Sequence, residues 1–242
     1  MSNLISNKWQ KKISFDLFCK VIQQNSEQLY TELFLQHKNQ FSIRNQRIAV
    51  KKLQRIIEAT FVLANEVGFQ AMTLRQLSKQ TEMSMGGLYA YIQSKDDLAE
   101  IIYSFLNSYC EKQIDTLVDE KLADDDKLVA LIHVHIYLSE LMQPWFYFAY
   151  METKNLSVDF KSVAIKSELS MENKITTVIN SGITAGNFRK VQTKLIAPLI
   201  KSMLQDWYLK HGKYKKRKIT VDQYATQVAD IALTYLKVKV ET

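Results

Sequence analysis

Glycine and proline are scarce in this sequence, at 6 and 2 of 242 residues. A β-rich chain needs many turns, and turns lean on those two residues. Their scarcity excludes such a chain and predicts long helices with few connections. Cysteine is nearly absent as well. Cys19 and Cys110 stand far apart and match no metal or redox spacing. They read as reduced, structural thiols of a cytosolic protein, because disulfides are rare in that compartment. No run approaches the ~18 apolar residues of a membrane helix. The richest stretch, Pro144 to Met151, is short and aromatic. The start, Met1-Ser2-Asn3-Leu4, lacks the basic and then apolar order of a signal peptide. The chain is therefore expected to be soluble and cytoplasmic, away from membranes. Patterns for hydrolytic triads, paired carboxylates and phosphate loops are missing too. Enzyme activity and a bound cofactor are not expected.

What is present is a large apolar fraction, 47%, enough for a real core. The formal charge is +7 and the pI about 9.2, which favours nucleic acid or another anionic surface as partner. The first 44 residues show helical periodicity. Ile13, Leu17 and Val21 fall four apart, as do Phe18 with Ile22 and Leu29 with Leu33. This leader is expected to form one or two helices.

From Phe41 to Arg55 the charge is one-sided, with Arg44, Arg47, Lys51, Lys52 and Arg55 before any acid. A helix follows, with Leu53, Ile56, Ile57, Phe61, Ala64 and Val67 on one face and Gly68 at its end. Thr73 and Gln76 form a Thr-x-x-Gln capping box for a short second helix ending near Gln80. Ser84 can cap a third short helix ending near Tyr91. Ser94 caps a fourth that runs to about Val118, with Asp96 and Asp97 in its favourable first turn. Further helices are predicted near 125–142, 144–154, 157–181, 192–211 and 220–238. The basic run Lys213 to Lys218 reads as a solvated loop between the last two.

Thr73 to Tyr91 thus spans two short helices joined by a tight connection, which is the size and layout of a helix-turn-helix. In such a unit the N-terminal residues of the second helix meet the base edges in a major groove. Here those residues are Ser84, Met85, Gly86 and Gly87. Each glycine costs helix stability, about 1 kcal/mol relative to alanine. Either backbone must approach DNA or the first helix closely there, or the glycines merely loosen a surface turn.

The stretch Met83-Ser84-Met85-Gly86-Gly87-Leu88-Tyr89-Ala90-Tyr91-Ile92-Gln93-Ser94-Lys95-Asp96-Asp97-Leu98 resembles the recognition segment of TetR-type transcriptional regulators. Gly68-Phe69, Met72-Thr73-Leu74 and Leu77-Ser78 fit the same pattern, and so does Gly186-Asn187-Phe188-Arg189 further on. The resemblance is good over about 50–105. It departs at Glu82, where the family's turn usually holds glycine, at Ile92, where an aromatic is usual, and in the long leader.

The resemblance implies an all-α protein with three parts. These are the helical N-terminal extension (1–44), which rests on periodicity and not on the resemblance, a three-helix DNA-binding domain (45–95) and a larger helical effector-binding and dimerisation domain (96–242). It implies that Thr73, Tyr89 and Lys95 hold phosphates and that Ser84, Met85, Gly86 and Gly87 face bases. Tyr91 joins this set, and Arg75 is the nearest long donor, with a solvated charge as its alternative. Lys51 and Lys52 would lie by the backbone. Arg44 and Arg47 would form a minor-groove arm or a solvated run. The implied partners are a palindromic double-stranded DNA operator, a second copy of the chain and a small, largely apolar effector that releases a repressor. A fatty-acyl compound suits the aromatic cluster Trp145 to Tyr150. Tyr103, His133, Tyr137, Trp145, Phe148 and Trp207 are the candidate pocket, with plain core packing as the alternative. His133 and His135 point about 200° apart on a helix, so no shared metal is expected. The late stripes Leu195, Leu199, Met203 and Leu204, then Val228, Ile231 and Leu236, would pair with a second copy. A rival reading is a helical interaction protein whose leader docks a protein partner.

Overall fold

A computed structural model describes residues 14–22, 25–43, 45–152 and 158–237, with backbone only over 158–168. Arg44 and Ile13 lie outside the described residues. The described residues hold helices and no strand. The leader supplies α1 (Phe15–Ile22) and α2 (Ser26–Gln36), then a 3-10 turn at Lys38–Gln40. The next three helices are α3 (Gln46–Val67), α4 (Leu74–Thr81) and α5 (Met85–Tyr89). They are followed by α6 (Lys95–Leu117), α7 (Asp124–Leu141), α8 (Gln143–Glu152) and α9 (Val158–Thr184). The chain closes with α10 (Thr193–Leu209), α11 (His211–Lys216) and α12 (Val221–Lys237). The unforeseen α-helix is α11, which takes up four of the six residues of the basic run Lys213–Lys218 expected to be loop.

The helices divide into two compact units. One takes in the described residues of Gln23–Ser108 and Pro144–Ala164, the other those of Met1–Ile22, Tyr109–Gln143 and Ile165–Thr242. The first unit is built on α3. Its stripe Ala49, Leu53, Ile56, Ile57 and Thr60 is fully buried, as a 3.6-residue period predicts. The second leader helix packs along α3. Its cap Asn25 forms a reciprocal capping box with Gln28, and its Tyr30, Leu33 and Phe34 are buried. The Phe34 ring stacks on Phe41, and Phe41 meets Tyr91 just beyond α5. Ser42 N–H then donates to Ala90 O at 3.0 Å. Half of the leader is thus core of the unit that holds α3, α4 and α5, braced against the end of α5.

Helix α8 joins the same unit. Trp145 packs against Tyr30, Phe61 and Phe105, with centroids 5.9, 5.2 and 5.4 Å away. Phe148 meets Phe61, Phe69 and Tyr103.

In the second unit α7 is the centre, buried nearly all round and packed by α12, α10 and α1. From Leu128 to Leu138 this helix is apolar on every side but for His133 and His135, the mark of a core helix. Phe18 of α1 is fully buried, and both Phe15 and Phe18 lie against the Tyr137 ring. Asp222, in the first turn of α12, accepts from Phe15 N–H at 2.8 Å and from the Tyr137 hydroxyl. Phe15, Phe18, Tyr30, Leu33 and Phe34 of the leader thus pack inside the protein, while Leu35 stays exposed.

Gly182 marks the tightest approach in this unit. A Cβ there would lie 2.2 Å from Cδ2 and 2.8 Å from Cγ of Phe188, whose ring is buried. Gly182 O also accepts from the Asn187 and Phe188 amides. Gly182→Ala is expected to cost about 1–3 kcal/mol by overpacking. Urea denaturation checks it, and an unchanged midpoint would show that the ring can move away freely.

Candidate nucleic-acid interface

The helix-turn-helix forms by the local rules its sequence carries. Thr73 is extended at φ −109°, its hydroxyl accepts from Gln76 N–H at 3.1 Å, and Gln76 Oε1 accepts from Thr73 N–H at 2.8 Å. The Thr73 hydroxyl also lies 2.9 Å from Gln76 Oε1, so the box uses that hydroxyl itself. The open groups at this helix start are the first backbone amides, which suit an anion. Ser84 caps α5, accepting from Gly87 N–H at 3.1 Å. Ser94 caps α6, accepting from Asp97 N–H at 3.0 Å.

Between α4 and α5 stands Glu82, at φ 52° and ψ 34°. This is the left-handed region that the family's glycine would enter freely. The turn keeps its geometry with glutamate in place. Glu82 N–H closes onto Lys79 O at 3.2 Å, and its carboxylate pairs with Arg55 Nη2 at 2.9 Å. Both side chains are well exposed, so the pair contributes little stability. It does settle where Arg55 goes: into the turn.

Most of the expected contact residues share one property, access to solvent. Arg47, Lys51, Lys52, Thr73, Arg75, Ser84, Gly86 and Tyr89 are exposed, while Met85, Gly87 and Lys95 are half-buried. Gly86 answers the question about the glycines in part. A Cβ there would meet nothing within 4 Å. No internal packing demands this glycine, so close approach to another helix is excluded for it. At Gly87 a Cβ would lie 3.2 Å from Ser84 Oγ, a tight fit against the cap.

Two placements differ from expectation. Tyr91, expected at the DNA surface, is 2% exposed and packs on Phe41. Burial pushes its phenol up to about 12. It holds the end of the recognition helix from behind, a role that periodicity alone could not separate from contact. Lys95 is not a free cation either. Its Nζ donates to Phe69 O at 3.2 Å and Gln70 O at 2.7 Å, ties down the loop before α4, and lies 5.7 Å from the Phe69 ring centroid.

The residues of the expected effector wall divide between the two units. Tyr103, Trp145 and Phe148 belong to the unit that carries the helix-turn-helix, and their rings are filled by neighbours there. Tyr103 donates its hydroxyl to Ala149 O. His133, Tyr137 and Trp207 belong to the other unit. His133 Nδ1 lies 2.9 Å from Val129 O, and Trp207 donates to Glu140 at 2.9 Å. That unit instead holds a half-open cleft of about 650 Å³ among α6, α7 and α9. Ile114, Val118, Leu131 and Val178 form its apolar lining, crossed by the pairs Lys174–Asp115 and Lys127–Glu120 at 2.6 and 2.8 Å.

Residues 56–102 match the family model of bacterial regulatory proteins of the tetR family. Residues 121–236 match the tetracyclin repressor-like C-terminal domain. The chain belongs to the TetR family of transcriptional regulators. A curated relative, the HTH-type transcriptional regulator HbdR of Aromatoleum sp. (strain CIB), is 24% identical over 177 residues, covering 72% of this chain and 76% of HbdR. AibR, solved with isovaleryl coenzyme A and operator DNA, aligns with a TM-score of 0.66 at 19% identity, over 74% of this chain and 97% of AibR. The regulator FadR from Bacillus subtilis, solved with stearoyl-CoA, aligns with a TM-score of 0.60 at 16% identity, over 75% and 98%. This family shares the fold seen here: a helix-turn-helix near the N-terminus, followed by a helical C-terminal domain. It is a family of regulators and not of enzymes. Among the described residues of this TetR-family chain, no helix is long and apolar enough to cross a membrane.

Proposed function

We propose that this TetR-family regulator binds a palindromic operator as a homodimer, represses from it, and is released by an acyl-CoA-class effector. What supports the DNA half is the exposure of Arg47 and Lys51 on α3, Arg75 on α4 and Tyr89 on α5, together with the first-turn backbone amides of α4 and α5 that the caps Thr73 and Ser84 do not engage. Base reading rests on Ser84, Met85, Gly86 and Gly87, with Arg75 as the one long donor nearby. Backbone anchoring therefore supplies most of the affinity, because phosphate contacts dominate and bidentate donors carry most direct readout.

A second copy suits the last helices. Leu195 and Leu199 on α10 are 58% and 59% exposed, and Ile231 and Tyr235 on α12 are 47% and 43% exposed. Each pair is spaced four apart and so lies on one helix face. A two-fold partner presents the same patch and covers it. Two copies also place two recognition helices on successive turns of DNA, which one short helix needs to define a site. The effector reading is supported by the cleft of about 650 Å³ and by the acyl-CoA esters bound to AibR and FadR.

The test is a salt series on a duplex taken from the gene's own upstream region. Affinity is expected to fall steeply as salt rises, because bound phosphates release counterions. Tyr89→Phe with Lys51→Met is expected to weaken binding at least ~10-fold on every sequence alike, with the dimer intact. A flat salt dependence, or a double variant that binds as wild type, would sink the docking geometry.

A further inference from the structure

Lys95 opens α6 at the wrong end of a helix for a cation. The first turn carries partial positive charge, which suits Asp96 and Asp97 and disfavours lysine. The structure shows what offsets this. Lys95 Nζ reaches the loop before α4 and donates to Gln70 O at 2.7 Å and to Phe69 O at 3.2 Å. It also lies 5.7 Å from the centroid of the Phe69 ring. An ammonium has three donors, so two of them are engaged by these carbonyls. Hydrogen bonds from a charged donor are among the strong ones.

The two carbonyls belong to the short loop that leads into α4. Gly68 ends α3, and its carbonyl accepts from Met72 N–H at 3.0 Å. Phe69 and Met72 are each 1% exposed, and the Phe69 ring meets Phe148 edge-on at 5.1 Å. Thr73 follows at once as the cap of α4. A shift of this loop is therefore a shift of Thr73 and of the first turn of α4.

The other side of the clamp is fixed as well. Ser94 Oγ accepts from Asp97 N–H at 3.0 Å, and Asp97 Oδ2 accepts from Gln93 N–H at 2.9 Å. Gln93 Nε2 donates to Tyr89 O, the last residue of α5, at 2.9 Å. The start of α6 thus holds the end of α5 through Gln93 and the loop before α4 through Lys95. All of these residues lie in one compact unit.

We propose that Lys95 is a positioning residue for operator binding: it sets the start of α4 through Phe69 O and Gln70 O, and it bonds no phosphate itself. This role rests on the operator reading given above, since it needs α4 to meet DNA. Salt separates it from a phosphate contact. A lysine on a phosphate displaces counterions, so removing it flattens the salt dependence. A lysine that only holds a loop displaces none, so removing it weakens binding by the same factor at every salt concentration.

The experiment uses the full chain and a duplex from the gene's upstream region. Fluorescence anisotropy gives the affinity from about 50 to 300 mM salt, the range over which counterion release is resolved. Amide hydrogen exchange of the free protein reports on residues 69–76. Wild type is compared with Lys95→Met, which keeps the stem without the donors, and with Lys95→Arg, which keeps charge and donors.

Lys95→Met is expected to bind ~10-fold or more weakly throughout, with its log–log slope within about 0.3 of wild type, against the ~0.9 lost with each phosphate contact. Exchange at 69–76 should quicken while the centre of α3 keeps its protection, which loss of the whole fold would not allow. In Lys95→Arg, affinity and loop protection should recover together. A slope shallower by about 0.9 in Lys95→Met, or wild-type affinity in that variant, overturns the proposal and leaves the operator reading standing. So does a Lys95→Arg protein in which affinity and loop protection part company, and that arm decides alone if Lys95→Met does not fold. Wild type that fails to bind the duplex overturns both readings.

Discussion

Trp145→Ala lowers the stability of the DNA-binding unit by about 3–5 kcal/mol, the range for removing a buried Trp or Phe ring. The ring is 4% exposed and touches rings from three other helices: Tyr30 of α2, Phe61 of α3 and Phe105 of α6. No single neighbour can collapse into the space it leaves, so the cavity cost adds to the lost burial. A loss of this size is a large share of the 5–15 kcal/mol that holds an ordinary domain together. Operator affinity should fall with it, because α3 and the leader lose their common support. Urea denaturation followed by circular dichroism measures the change. A loss below about 1 kcal/mol would mean that Trp145 lines a void and is not packed core.

Mild acid is the second large perturbation. His37, His133 and His135 all titrate below the ordinary histidine value, and in each case burial is the leading cause. At His37 the bond to Gln40 opposes burial. At His133 Val129 O, Asp222 and Asp230 do so, while at His135 the nearby Lys201 charge adds to it. Below about 6.5 the unfolded chain takes up protons that the folded chain refuses. Stability is therefore complete above that pH and falls as the pH drops through 6.5 toward the lower folded values. Each histidine contributes a slope of up to about 1.4 kcal/mol per pH unit, and the three together up to about 4. Carboxylates titrate mostly below about 5, so the window from 6.5 to 5 isolates the histidines. Urea midpoints at pH 7.5, 6.5, 6.0 and 5.5 test this. Equal stability across that series would show that the three imidazoles are charged or solvated in the fold.

The two perturbations act on groups that the sequence showed only in part. Trp145 was visible as one of a dense aromatic set, with a pocket wall and plain core both open. Which of the two held depended on Phe61 and Tyr30, which are 84 and 115 positions away in the chain. The same limit applies to Tyr91 and Lys95. Both fall in the recognition segment, where family pattern marks them for DNA. Their partners Phe41, Phe69 O and Gln70 O turn one into a brace and the other into a clamp on the loop before α4. By contrast, the caps at Thr73, Ser84 and Ser94 formed as their spacing predicts, because an N-cap involves only residues two or three apart. Glu82 lies between these cases. Its left-handed backbone is local, but the Arg55 that meets it is 27 residues away.

The sequence by itself determined the helical class, the order of the long helices and the helix-turn-helix at 73–91. Those depend on periodicity, capping residues and turn chemistry, all readable within a few residues. Only the tertiary structure decided what each helix is for. It assigned the leader's first helix to Tyr137 and Asp222 and its second to α3. It also placed α8 with the DNA-binding residues and made an ordered turn of the basic run. The physical reason is that burial is non-directional. An apolar stripe states that a helix must be covered, and the partner is chosen by shape and by pairs of polar groups that meet only when distant segments fold together.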